Sequence, residues 1–137
     1  MSVFHDQADF LTAVNKTYPN CTEMALSLAA RLVDEEYDEL NIELACLENH
    51  MQEQSLIPTE DVAKLCKEAI DVVYVTCQLL NTLVGPDVAH AMFQAVHENN
   101  MTKARNLKVR DDGKVEKPEG FQKVTLESFC YDIDFSR

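Results

Sequence analysis

The 137-residue chain is acidic, with 24 Asp and Glu residues against 12 Lys and Arg residues and a formal net charge of −12. That charge argues against partners that require a basic protein surface, so we expect neither nucleic acid nor an anionic membrane surface to bind. Apolar residues make up 46% of the chain and only three glycines and four prolines interrupt it, a composition typical of one helical globular domain.

The cysteines and the N-terminus bear on the cellular compartment. The five cysteines, at positions 21, 46, 66, 77 and 130, are odd in number and include no CxxC pair. This spacing predicts neither a zinc site nor a disulfide framework, and we interpret the thiols as buried groups in a reducing cytosol. No apolar run reaches the ~18 residues of a membrane span, and MSVFHDQADF lacks a signal-peptide core. We expect a cytoplasmic protein.

Four helical segments are predicted in residues 1–104. Their ends are assigned from capping residues and from the breaks TYPNC, SLIPTED and Gly85-Pro86. The segments run from Ser2 to Lys16, from a cap at Thr22 to about Gln54, from a cap at Thr59 to about Val84, and from about Asp87 to Asn99. These segments predict an all-α fold, a four-helix bundle.

The character of the chain changes in residues 105–137. LKVRDDGKVEKPEGF alternates around Asp112-Gly113, which predicts a β-hairpin. The remainder, through CYDIDFSR, is interpreted as a partly extended tail. We expect this C-terminal region to belong to the same domain or to pack on a neighbouring subunit.

The second helix carries acids where a core-facing stripe is expected. Stepping by threes and fours from Ala29 and Leu32 along this face reaches Glu36 and Glu39, and then Glu43. Carboxylates therefore replace apolar residues in the middle of an otherwise apolar stripe. A solvated acidic helix face is the ordinary alternative.

The third helix repeats this pattern. EAIDVVYVTCQLL is apolar almost all round, yet Glu68 and Asp71 share one face of its first half. Ionised carboxylates in a dry interior are costly unless they are paired or bound to a metal. Two facing acidic pairs with oxygen ligands only predict a site for a hard divalent cation, and Mg²⁺ or Mn²⁺ fits such a site better than zinc.

The arrangement resembles a known family. EExxE (Glu35, Glu36, Glu39), a gap of 28 residues and ExxD (Glu68, Asp71) are similar to the motifs of the MazG-type all-α nucleoside triphosphate pyrophosphohydrolases. VHENNMTKA and GKVEKPEGF resemble the C-terminal signature of its short members. The related enzymes include the all-α dCTP and dUTP pyrophosphatases and phosphoribosyl-ATP pyrophosphatase. The resemblance covers about residues 25–121 and implies a bundle of that type, with 1–104 as the catalytic part.

The resemblance also implies an activity and the residues that carry it. Family members use Mg²⁺, which Mn²⁺ can replace, to hydrolyse a nucleoside triphosphate to a monophosphate and pyrophosphate. The implied metal ligands are Glu36, Glu39, Glu68 and Asp71. Glu35 is implied as the residue that orients or deprotonates the attacking water. The implied phosphate-binding residues are Asn100, Lys103 and, with less support from the motif, Lys117.

Several questions stay open at this level. Base and sugar preference is not legible, and Asn15, Lys16 and the phenylalanines near the N-terminus, Phe4 and Phe10, are only candidates for contacts with the base. The four histidines, at 5, 50, 90 and 97, are interpreted as structural because none pairs convincingly with an acid or a cysteine in the sequence. We expect a homodimer or homotetramer. The alternatives are a non-enzymatic acidic helical module for oligomerisation or interaction and a phosphoribosyl-ATP pyrophosphatase.

Overall fold

The computed structural model describes residues 1–105 and 108–136 and contains four α-helices in these ranges. They are α1 (Val3–Ala13), α2 (Glu23–Gln52), α3 (Thr59–Val84) and α4 (Pro86–Arg105), followed by a short 3-10 turn at Glu127–Phe129. No named β-strand occurs among the described residues. The all-α prediction is therefore confirmed, and the helices form a bundle.

The helix ends follow capping chemistry, but the start of α3 and the end of α1 differ from the predicted positions. The Thr22 hydroxyl accepts a hydrogen bond from the amide of Ala25, as expected of an N-cap. Thr59 is not the cap of α3 as predicted, because Pro58 occupies that position and Thr59 is already helical. The first helix ends at Ala13, three residues before the predicted end, since Asn15 adopts φ = 60°.

Gly85 and Pro86 separate α3 from α4. Gly85 has φ = 82°, a backbone conformation that favours glycine, and it ends α3. The fixed φ of Pro86 suits the first turn of the next helix. The two helix axes differ in direction by 112°. The fourth helix runs six residues beyond its predicted end at Asn99, to Arg105.

Two packing regions hold the four helices together. The long helices α2 and α3 pair along their length and run antiparallel, since residues 53–58 reverse the chain between them. The short α1 packs on α3 and α4. Its side of the bundle contains a small apolar core formed by Phe4, Cys77 and Ala89, with Leu80 and Val84 packed against it.

A buried amide network joins α1 to α3. Asn81 and Gln7 are both fully buried. The Nδ2 atom of Asn81 donates to the Phe4 carbonyl at 2.9 Å and to Gln7 Oε1 at 2.8 Å. Gln7 Nε2 in turn donates to Gln78 Oε1 at 3.3 Å. Because these bonds form only in one register, the network sets the position of α1 along α3.

The C-terminal region forms a turn where a hairpin is predicted. Val109 and Val115 make a single antiparallel bridge, and Gly113, with φ = 90°, lies in the turn between them. The hairpin is thus reduced to one bridged pair without extended strands; its predicted first residue, Leu107, lies outside the described part of the chain. The tail runs back to the body, where residues 129–134 border a cavity of about 640 Å³ together with α3 and α4.

No single helix in the described ranges is both long and apolar enough to cross a membrane. Only α3 and α4 taken together reach the required length and composition, across the 112° bend that separates them.

We predict that Asn81→Ala strongly destabilises the fold. The change removes two donated hydrogen bonds and leaves the Phe4 carbonyl and Gln7 Oε1 buried without that donor. Leaving buried acceptors unpaired costs about 1–3 kcal/mol. Urea unfolding should therefore give a free energy of unfolding that is lower by this amount, together with a lower midpoint concentration. The control is Asn49→Ala at an exposed position of α2, where little change or a slight gain is expected. Equal effects of the two changes would contradict the role of the network.

Candidate metal centre

The α2–α3 pairing brings three of the predicted metal ligands together. Glu36 and Glu39 lie one turn apart on α2, and Glu68 faces them from α3. One carboxylate oxygen from each of the three lies within 4.8 Å of the other two. We call Glu36, Glu39 and Glu68 the acidic cluster. A spacing of this size suits three oxygen ligands around one hard cation.

Two oxygens of the acidic cluster lack the partners that buried polar atoms require. The Oε2 atoms of Glu36 and Glu68 are buried, and neither has a hydrogen-bond partner. Buried carboxylate oxygens are ordinarily paired, because desolvation without compensation is costly. A divalent cation would supply the missing partner for both atoms, so the residues present fit a metal ion.

Burial and neighbouring carboxylates also change the pKa of Glu68. Partial burial raises the pKa of Glu68 above its ordinary value of 4.5, and the charge and hydrogen-bonding carboxyl of Glu39 raise it further. The charge of Asp71 acts in the same direction, while Lys67 opposes it. Like charges held at short range favour the neutral form of one of them. The ionised form of Glu68 is thus disfavoured in the metal-free protein.

Asp71, the fourth predicted ligand, lies on the same helix face as Glu68 but outside the acidic cluster. Its Oδ2 accepts a hydrogen bond from Lys67 Nζ at 2.5 Å, and this bond raises the pKa of Lys67. Lys67 has no role in the predicted site, although its i,i+4 spacing from Asp71 is typical of an ion pair on a helix. The lysine side chain is 68% exposed. Exposed ion pairs of this kind contribute little to stability.

The remaining acids of the second helix border the cluster. Glu35 is exposed and immediately precedes Glu36 on α2, so it lies beside the acidic cluster without belonging to it. Glu43 continues the acidic stripe toward the end of α2, where Lys64 Nζ approaches its Oε1 at 3.5 Å. The carboxylate of Glu43 is therefore paired, and that of Glu35 faces solvent.

The predicted phosphate-binding residues lie elsewhere in the chain. Asn100 is exposed near the end of α4, and Lys103 Nζ lies 5.6 Å from the ring centroid of Phe121. Lys117 is exposed in the segment before Phe121. The C-terminal end of α4 lies roughly 25 Å from the acidic cluster. This distance follows if α3 and α4 are treated as straight helices that meet at the 112° bend. One chain does not bring these two groups of residues together.

A cavity of about 300 Å³ opens at the start of α2. Its walls include Asn15 and Lys16 after α1, Leu28 on α2 and Gln78 on α3. Leu28 precedes Glu36 by about two helical turns on the same helix. Of the candidates for base contacts, Asn15 and Lys16 thus border a cavity that lies along the helix pair from the acidic cluster. Phe4 and Phe10 do not line it, since Phe4 is buried in the core and the ring of Phe10 contacts Tyr74.

Comparison with known proteins adds no family assignment. The chain matches no model of a known protein family, and no curated protein sequence is significantly similar to it. The likeness to the MazG-type enzymes therefore rests on the residues themselves and on the spacing of their acids.

We predict that Glu68→Gln stabilises the metal-free protein near neutral pH. A carboxyl whose pKa is raised by folding costs stability when it ionises, so wild-type stability should fall as pH rises from about 4.5 through the raised value. Glutamine does not ionise and removes this loss. Thermal melts in chelator-treated buffer should show the variant with the higher Tm at pH 7 and a vanishing difference below pH 4.5.

The matched control is Glu48→Gln, an exposed acid on α2. It should leave the pH dependence of Tm unchanged. A Glu68→Gln protein that melts at or below the wild-type temperature at pH 7 would contradict the assigned repulsion within the acidic cluster.

Proposed function

We propose that the protein is a Mg²⁺-dependent nucleoside triphosphate pyrophosphohydrolase of the MazG-like kind, which converts a nucleoside triphosphate, preferably a deoxynucleotide, to a monophosphate and pyrophosphate. The observation that carries the proposal is the acidic cluster, in which two buried carboxylate oxygens have no partner. The motif spacing EExxE and ExxD supports the reaction class. A role in clearing or balancing nucleotide pools would follow.

The acids of α2 and α3 have two different roles in this proposal, metal binding and positioning of the attacking water. Glu36, Glu39 and Glu68 hold the ion, and Asp71 joins them when it leaves Lys67. Bound Mg²⁺, or Mn²⁺ in its place, offsets phosphate charge and lowers the pKa of a coordinated water. The side chain of Glu35 is exposed beside the cluster, which supports the proposed role of orienting a water molecule or accepting its proton.

The substrate assignment rests on charge and on the neighbouring cavity. A triphosphate carries about four negative charges and approaches a protein of net charge −12. A cation in the acidic cluster removes this conflict locally. The base would then lie in the cavity next to Asn15 and Lys16, whose amide and ammonium groups provide hydrogen-bond donors and an acceptor. A phosphoribosyl-ATP substrate stays the enzymatic alternative, and a substrate panel distinguishes the two.

The proposal also requires a second chain. Apolar side chains on the long helices are exposed, among them Ile42 at 69%, Ile70 at 61% and Tyr37 at 54%. Such exposure is typical of a surface covered by a partner. A homodimer or homotetramer would cover it, and would allow Asn100, Lys103 and Lys117 of one subunit to contact phosphates held at the acidic cluster of another. The non-enzymatic alternative, an oligomerisation module, draws on the same exposed surface but gives the unpartnered carboxylates no role.

We predict that a panel of nucleoside triphosphates incubated with Mg²⁺ yields monophosphate and pyrophosphate. Glu68→Ala should abolish turnover, because charge stabilisation by the metal is the main catalytic term. Glu35→Gln should lower kcat while preserving much of the nucleotide binding, since its shape is kept. Chromatography of the products measures both, and Glu48→Gln is the active control.

Thermal melts of the same samples separate metal binding from chemistry. Mg²⁺ should raise the Tm of the wild type and of Glu35→Gln but not that of Glu68→Ala, because only a bound ion favours the folded state. Release of diphosphate and orthophosphate would show that the assigned bond is wrong. A wild type that turns over none of the triphosphates yet responds to Mg²⁺ would leave a metal-binding module in its place.

We predict that an inactive variant, Glu68→Ala, and a variant with weakened substrate binding, Lys103→Ala, complement each other. Light scattering should give a mass of at least two chains at micromolar concentration. When Glu68→Ala and Lys103→Ala are unfolded together and refolded at equal amounts, mixed dimers contain one site with both functional residues, about a quarter of all sites. Measured kcat/KM at low substrate should recover toward that fraction. A 15.5 kDa monomer, or a mixture no more active than Lys103→Ala alone, would contradict a shared site.

A further inference from the structure

A second group of metal-ligating side chains lies at the other end of the α2–α3 pair. Cys46 and His50 are one turn apart near the end of α2, and Asp61 is in the first turn of α3. A thiol sulfur, a ring nitrogen and a carboxylate oxygen from these residues lie within 4.8 Å of one another. Glu39 and Cys46 are separated by about two helical turns, roughly 10 Å, so this group is distinct from the acidic cluster.

The hydrogen bonds of His50 indicate the protonation state of its Nε2 atom, which faces Asp61. Ser55 Oγ donates to the His50 carbonyl at 3.3 Å and therefore accepts from His50 Nδ1 at 2.9 Å. A neutral ring protonated at Nδ1 directs the lone pair of Nε2 at Asp61 Oδ2, which lies 3.1 Å away. Two acceptors this close require a shared cation, either a proton or a metal ion. The second ring nitrogen of a metal-bound histidine ordinarily donates to an oxygen acceptor, such as a carboxylate, a backbone carbonyl or a water, and Ser55 Oγ holds that position here.

The surroundings favour binding of a metal ion. The three side chains border a cavity of about 160 Å³ whose walls include Leu47, Ile57 and Leu65. The side chains of His50 and Asp61 are only 23% and 32% exposed. Apolar walls and partial burial limit competition from water and strengthen the attraction of a cation to its ligands.

We propose that Cys46, His50 and Asp61 form a Zn²⁺ site that ties the end of α2 to the start of α3. A thiolate, an imidazole and a carboxylate are the ligand set that zinc accepts, whereas Mg²⁺ selects oxygens alone. Tetrahedral Zn–N, Zn–O and Zn–S bonds place ligand atoms about 3.3–3.6 Å apart. The observed separations need only small side-chain movements to reach that range. Three protein ligands leave the fourth position to water.

The test is metal binding by the full reduced chain, followed with Zn²⁺ against a competing chelator and with Co²⁺ as a spectroscopic probe. The wild type should bind one Zn²⁺ per chain at this site, and its Co²⁺ complex should show thiolate-to-cobalt charge-transfer absorption. Cys46→Ser should lose that absorption, and His50→Gln should weaken Zn²⁺ binding at least tenfold. Asp61→Asn keeps the size of the side chain, so its expected loss of affinity does not depend on a disturbed fold.

The matched control is Cys66→Ser, because Cys66 lines the same cavity but lies outside the ligand group. It should retain both the thiolate absorption and the affinity for Zn²⁺. Glu68→Gln should retain them as well, which separates this site from the acidic cluster. A Co²⁺ complex without thiolate absorption, absorption that survives Cys46→Ser, or absorption lost on Cys66→Ser would overturn the assignment.

Discussion

The antiparallel pairing of α2 and α3 is the contact on which the rest of the structure depends. It is the most extensive contact of both helices. Its middle nevertheless contains Glu36, Glu39 and Glu68, where apolar residues would pack best. Partial burial and, after it, the neighbouring carboxylate of Glu39 raise the pKa of Glu68, so ionising this carboxyl is costly. The negative charge at the centre of the helix pair is therefore uncompensated until a cation or a proton neutralises it. That local cost is a feature typical of functional sites.

The sequence predicts this centre well because helix geometry is regular. The i,i+3 spacing on each helix and the loop of six residues between them suffice to place Glu36, Glu39 and Glu68 on facing surfaces. Side-chain conformation is less predictable. The bond between Lys67 and Asp71 depends on rotamers, so the same spacing that predicts a fourth ligand also permits an ion pair. The polar end of α4 was missed because NNMTKAR offers no apolar periodicity.

Contacts between distant parts of the chain were beyond sequence reasoning. Cysteines were expected to be buried. Of the five, all of which lie in the described ranges, Cys77 is buried, Cys21 and Cys46 are partly buried, and Cys66 and Cys130 are exposed. His50 was interpreted as structural because no histidine was seen to pair with an acid or a cysteine. Cys46, four residues earlier on the same helix, was a readable signal that this interpretation missed, whereas Asp61 is brought near only by the turn between α2 and α3. The Gln7 to Asn81 network likewise joins residues more than seventy positions apart. Polar residues in apolar helices signalled that partners exist, without identifying them.

The bend after α3 connects fold and proposed activity. Gly85 in its positive-φ conformation and Pro86 at the start of α4 turn the chain by 112°, and Pro19 packs 3.7 Å from where a side chain on Gly85 would begin. The turn carries α4 away from the centre of the α2–α3 pair. Asn100 and Lys103 are then too far from Glu68 to hold the same triphosphate within one chain. If these residues bind phosphate, the site must be completed by another subunit, and exposed apolar residues such as Ile70 provide a surface for that association.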